Sequence, residues 1–519
     1  MAGVKCVNRA PRARVQHNMT SGFRRPGFIL AACLLWLAGC AQPLTRPELA
    51  GLQQQAAREP VLQIAWLDRV SWGATAASQA ELARQGLAPW LQGQLDARPA
   101  PLPAAAQAQI DAMTISRTPV SQLVAALEAQ RKAADALPDV EQKRVARQAY
   151  QQELTRLARE AQQRFLLRAL YSPNQLQEQM TWFWINHFNV NARKANLRAL
   201  IGDYEETAIR PHALGRFRDL LGATLRHPAM LRYLDNAQNA NNRLNENYAR
   251  ELMELHTLGV DAGYSQADVQ ELARVLTGLG VREGQFEFNP RRHDFNAKTL
   301  LGQPITQRGL AEADEALDRL ARAPQTARFI SRKLAVYFVA DEPPPALVDR
   351  MAASFTRSDG DIAATLATMF GSPEFAASLG HQFRDPLHYV VAGVRLAYEG
   401  RVVTNVGPMI NWLNRMGEPL YGHETPDGYP LTRTAWASAG QMTTRFEIAR
   451  AIGANGAVLF RTEDGAPLER PAFPPLAGSQ VVAALQTRLG APTREALAEA
   501  KSPQDWNTYL LASPEFMNR

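Results

Sequence analysis

Cysteine is nearly missing from this chain: 519 residues carry three, Cys6, Cys33 and Cys40. A disulfide framework or a cysteine-rich metal cluster is therefore excluded. Apolar runs are short as well. The core at 28–37 spans ten residues, against the ~20 a helix needs to cross a bilayer. HExxH, GxSxG and P-loop signatures are missing, and the Gly-x-Gly at 278–280 follows a helical pattern, so it is no dinucleotide fingerprint. Charge of one sign is also scarce. The formal net charge is +7, but residues 1–39 hold six of the 57 basic side chains and no acid. The remainder has 51 basic against 50 acidic residues, a net of +1. That balance gives no electrostatic footprint for nucleic acid.

What is present begins with an export signal. In residues 19–40, Arg24 and Arg25 form a positive flank, 28–37 an apolar core, and Leu37-Ala38-Gly39-Cys40 a lipobox. Core length and flank read as a lipoprotein signal peptide over 1–39, with Met19 the expected true start. Cys6 and Cys33 leave with that peptide, and Cys40 is left to carry lipid. Ala41 after Cys40, rather than Asp, points to the outer membrane. Residues 40–60 are polar and Ala/Gln-rich, an expected flexible tether, and 61–519 an expected single domain. Nearly half apolar composition over that length suffices to build a core without crosslinks.

The domain reads as mostly α, an irregular multi-helix arrangement with at most a small β-hairpin. Trp66, Trp72 and Trp90 are expected packing anchors, and Pro99, Pro101 and Pro103 mark a connection. Residues 140–170 place Leu154, Leu157, Ala161, Phe165 and Leu166 at helical spacing, with Arg156, Arg159 and Arg164 on an expected solvated face. Ser172-Pro173, His227-Pro228, Ala323-Pro324, Ser372-Pro373 and Ser513-Pro514 look like helix starts, because proline loses nothing at the first helical position. Ser265 and Asp268 form a capping box, and Gly278 a left-handed stop. Short β signals occur at 286–288 and 458–460, and 455–478 reads as loop.

The densest chemistry lies at 245–259, NENYARELMELHTLG. At 100° per residue, Asn245, Ala249, Leu252 and His256 share one stripe; Glu246, Arg250 and Glu254 share another. The second stripe reads as a surface charge ladder or as one wall of a site. Glu251 points about 140° away from His256 on a regular helix, so the two share a small site only if the helix is interrupted. If the stripes frame a pocket, removing His256 should cost less stability than removing Glu246. The Asn-rich stretch 235–242 lacks the calcium-loop pattern and reads as Asx-turns. His187 sits among Trp182, Phe183 and Trp184, a setting shared by core histidines and ligands. His293 and Asp294 lie in an expected loop, where imidazole and carboxylate suit metal binding or acid–base chemistry if partners converge.

Seven segments then carry a resemblance: WFWINHF (182–188), HPAMLRYLDN (227–236), NENYARELMELHTLGV (245–260), GYSQADVQELARVLTG (263–278), HDFNAKTLLG (293–302), ARFISRKLAVYFVADEPPP (327–345) and the last SPEF. In this order, over about 62–519, they resemble the bacterial family known as domain of unknown function 1800. Two departures stand out: the Asn-rich linker, and Asp427-Gly428-Tyr429 before Trp436 where the family has Gly-Trp. The resemblance implies a helical, exported protein encoded beside a second exported family, domain of unknown function 1501, itself similar to alkaline-phosphatase-like proteins. It carries no reaction. Two functions follow. One is a lipid-anchored helical scaffold or accessory protein for an exported partner. The other is a periplasmic hydrolase built around 245–256, with a divalent metal on His187, His256, His293 or Asp294. Glu246 or Glu251 would activate water there, and Arg250 would steady an anion.

Overall fold

A computed structural model describes residues 46–53, 59–454, 456–461 and 473–519. The signal peptide, the lipobox and Cys40 lie outside the described residues. Pro47–Gln53, inside the expected tether, is instead a 3-10 helix, and its Leu49 is fully buried against the domain. From residue 45 onward the chain forms one compact unit.

The described architecture is helical almost throughout. The first helices are α1 (Pro60–Val70) and α2 (Ala76–Gln85), joined through Trp72, which is buried with Trp66 and Trp90 as expected. α3 (Val120–Ala136) and α4 (Val140–Tyr171) make an antiparallel hairpin, and α4 is the longest helix at 32 residues. Tyr150, Leu154 and Leu157 of α4 pack on Leu127 in a small cluster of their own, while Phe165, Leu166 and Leu167 enter the main core. Beyond that cluster the hairpin runs into solvent: from 128 to 149 only Ala134 is buried. The arginines of α4 divide. Arg156 is exposed between Glu153 and Glu160. Arg164, expected on a solvated face, is buried instead and donates to the carbonyl of Gly202.

Next come α5 (Gln175–His187), α6 (Asn247–Glu251) and α7 (Gln266–Val275). Ser265 caps α7 through the expected reciprocal box with Asp268. Gly278 then turns the chain at φ +78°, where a Cβ would stand 2.6 Å from the carbonyl oxygen of Asn289. This exit leads into β1 (Leu279–Arg282), antiparallel to β2 (Gln285–Phe288) in the register Leu279↔Phe288. The two-residue turn, Glu283 and Gly284, has positive φ at both positions, the twist that a tight hairpin requires. A second two-stranded ribbon pairs Thr299–Leu300 with Gln303–Pro304 over Leu301 and Gly302 of the same handedness. So 286–288 is a strand, but 458–460 is not: it belongs to the 3-10 helix Gly456–Phe460.

α8 (Leu310–Ala321), α9 (Pro324–Phe338) and α10 (Pro386–Ala397) follow. Pro228, Pro324 and Pro373 occupy first helical positions as read. Pro173 precedes α5 by two residues, and Ser513-Pro514 begins a turn in which the serine hydroxyl still accepts from the N–H of Phe516 at 3.1 Å. No described helix is long and apolar enough to cross a membrane.

Candidate functional site

The expected regular helix through 245–256 is interrupted. α6 is a short α segment, and Leu252–Thr257 continues it as a π-helix. The cause is local. Thr257 donates its hydroxyl to the Leu252 carbonyl at 2.6 Å, and Leu258 and Gly259 both donate to Met253, at 2.9 and 3.1 Å. These longer rings widen the turn, as single π-turns do. Upstream, the Asn-rich stretch acts as a staple. Asn236 donates to Leu276 and Leu279, Asn239 to Ala273, and Asn239 Oδ1 accepts from the N–H of Asn245 at 2.9 Å.

The two stripes separate by burial. Ala249, Leu252 and His256 are fully buried. Glu246, Arg250 and Glu254 stay partly exposed, with Arg250 3.1 Å from Glu246 and 3.6 Å from Glu254. Gln266 of α7 joins them, donating to Glu246 at 2.7 Å and accepting from Arg250 at 2.9 Å. The charge-ladder account therefore holds for this stripe. Such pairs are worth a few tenths of a kcal/mol.

His256 meets His187. Their ring centroids are 5.9 Å apart, enclosed by Phe188 and Tyr248. His187 uses both nitrogens: Nε2–H donates to the His256 carbonyl at 3.1 Å, and Nδ1 accepts from Lys333 Nζ of α9 at 3.0 Å. These partners assign the tautomer. Both nitrogens of His256 are buried without a hydrogen bond. Burial, reinforced by Lys333, lowers His256 to about 3 and holds His187 well below its usual value. Both rings are neutral at physiological pH.

Lys333 is the residue that sequence reading passed over. It lies inside the 327–345 segment, but nothing local tells it from a solvated lysine. Burial lowers it to about 8, against the pull of Asp427. Its ammonium rests 5.6 Å from the centre of the Phe329 ring. Glu251, half-buried, is raised by burial and by the nearby charges of Glu254 and Asp427, against the pull of Arg250. The arrangement is thus an amine that can lose its proton near neutrality, backed by an imidazole locked as acceptor, with the charge of Asp427 acting on it.

His293 and Asp294 do not join this group. His293 is buried in contact with Phe288 and Phe295, its Nδ1–H donating to the Thr277 carbonyl at 2.8 Å and its Nε2 3.3 Å from Glu312. Asp294 pairs with Arg274 at 2.7 Å. Partial burial pushes its carboxyl up, but Arg274 and the Asn296 N–H outweigh it and bring it to about 2. Among the described residues, no three His, Cys, Asp or Glu side chains are grouped to hold a metal ion. A second unread cluster lies at the start of α10, where Asp385 caps the helix and also holds His388 Nδ1 at 2.8 Å.

Burial reverses the expected ranking of two substitutions. Glu246→Ala should cost under ~0.5 kcal/mol, whereas His256→Ala opens a cavity in the core and should cost at least about 2 kcal/mol. Paired denaturant melts test this ordering. A pH effect accompanies it. A base depressed in the folded state gives stability that is complete above its unfolded pKa, 6.5, and lost as pH falls towards about 3. From pH 7 to 5 this one group should remove about 2 kcal/mol. In His256→Phe that share of the acid sensitivity should vanish, and an unchanged pH profile would refute the assignment.

No curated protein and no solved structure matches this chain. A family model described as "Protein of unknown function (DUF1800)" matches residues 65–518. That match takes in α4 to α10 and every residue just described, so the chain belongs to the DUF1800 family.

Proposed function

We propose that this chain is a lipid-anchored exported protein, held on the outer membrane through Cys40, that docks an exported partner through the free end of the α3–α4 hairpin. The observation that carries this reading is the projecting tip. It leaves Val140 82% and Val145 52% exposed on a hairpin stiffened by its own small core. A rigid arm presents its side chains to a partner at little ordering cost. The partner is the alkaline-phosphatase-like protein of the domain of unknown function 1501 family that the resemblance implies.

The test is photo-crosslinking in cells from a reactive residue at position 145, with position 254 as control. The expected result is an adduct, identified by mass spectrometry as that partner, lost in Val140→Asp. Arm positions that give no such adduct would overturn the reading. Fatty-acid labelling that is lost in Cys40→Ser is expected for the anchor, and equal label in the variant would refute it.

A second reading, a periplasmic hydrolase, is favoured by the Lys333–His187 contact alone. It requires a deprotonated amine as base. Hydrolysis that rises through pH 8 and disappears in Lys333→Met, with the melt unchanged, would favour it over docking.

A further inference from the structure

Arg395, in the last turn of α10, is buried yet lacks a carboxylate. Its Nε donates to the Gly73 carbonyl at 3.1 Å and its Nη1 to those of Ala169, at 3.4 Å, and Leu170. No described residue forms an ion pair or a hydrogen bond with its Nη2. The two α4 carbonyls belong to that helix's last turn, where the dipole amounts to roughly half a negative charge. Burial lowers the guanidinium to about 10, against the pull of Glu399, Tyr171 and Asp68, none of which touches it.

Arg395 lines a pocket of about 300 Å³, walled by Leu67, Trp90, Leu170 and Val394. This volume falls at the small end of ligand sites. Two carboxylates stand at the pocket. Glu399 is committed elsewhere, accepting from the N–H groups of Ala76 and Ala77 at the start of α2, at 2.8 and 2.6 Å. Glu81 is exposed and accepts from Gln85 at 3.0 Å. Behind Arg395 the packing is tight: a Cβ on Gly73, whose carbonyl it holds, would sit 2.9 Å from Ala392, one turn before Arg395.

The geometry points to a binding site for a small monocarboxylate with an apolar body, its carboxylate on Arg395 Nη2 and its body against Trp90 and the leucines. A buried charge held by neutral carbonyls is costly, and an anion arriving with apolar surface relieves it and fills the walls. Nothing in this site involves the 245–256 region or the hairpin tip.

Calorimetric titration of the full chain with benzoate, butyrate and inorganic phosphate tests it. Saturable one-site binding of benzoate is expected, at least tenfold tighter than phosphate. Ala77→Trp, an exposed rim position outside the core, should weaken benzoate at least tenfold with an unchanged melt. Arg395→Gln should do the same; because it also releases three backbone contacts, Ala77→Trp decides the matter if that variant does not fold. No saturable binding, phosphate bound as tightly as benzoate, or Ala77→Trp binding like the parent would each overturn the proposal.

Discussion

Glu312→Leu should lower the unfolding free energy by about 3–5 kcal/mol, among the largest losses available to a single side chain. Glu312 of α8 and Lys298 are 2.6 Å apart, with side chains 2% and 1% exposed. Lys298 also donates to the carbonyls of Asp294 and Asn296, while Glu312 accepts from the N–H of Gly309 at 3.1 Å. Leucine in place of the acid fits the volume but leaves a buried ammonium with carbonyls alone. The double variant Glu312→Leu/Lys298→Met should recover most of the loss, since a buried pair replaced by apolar groups is often neutral. Urea melts on the four proteins of this cycle give the coupling. A single variant within 1 kcal/mol of the parent would show the pair to be solvated.

Arg69→Met should cost on the order of 3–5 kcal/mol through a different route. Arg69 of α1 is fully buried and donates to Phe338, to the Ser378 hydroxyl and carbonyl at 2.8 and 2.6 Å, and to the Arg519 carbonyl at 2.6 Å. Methionine leaves those acceptors buried without donors, at about 1–3 kcal/mol each where no water enters. Arg69→Lys should rescue only part, because an ammonium lacks the planar fork that reaches three segments at once. The measurement is the urea midpoint together with proteolysis around 378–382. A lysine variant as stable as the parent would show that charge, not the fork, matters.

These two clusters also show what was legible in the residues. The Ser265–Asp268 box, the Gly278 stop and the proline starts of α9 and the 373–378 helix were readable because each depends on neighbours three or four positions away. The charge ladder at 246, 250 and 254 was readable for the same reason. Arg69 was not, since its partner Arg519 is 450 positions distant. Lys333 meets His187 across 146. Composition around such residues matches that of solvated ones, so Arg164 read as surface and proved buried. The π-turn was hidden for another reason: a threonine hydroxyl competing for a backbone carbonyl leaves no periodic trace. Of the four candidate ligands, the fold brings His187 and His256 together, whereas His293 packs against Phe288 and Phe295 and Asp294 pairs with Arg274 of α7.

The unbroken length of α4 has a mechanical consequence. At 32 residues it is a rod about 48 Å long. One end lies in solvent with Val140; the other supplies the carbonyls that hold Arg395. A rod of that length tilted by about 5° around its midpoint moves each end by about 2 Å, roughly the margin between a made and a broken hydrogen bond. A grip on the tip and an occupant beside Arg395 would therefore meet on one continuous helix, though they share no residue. By linkage, whatever free energy the first lends the second, the second returns to the first.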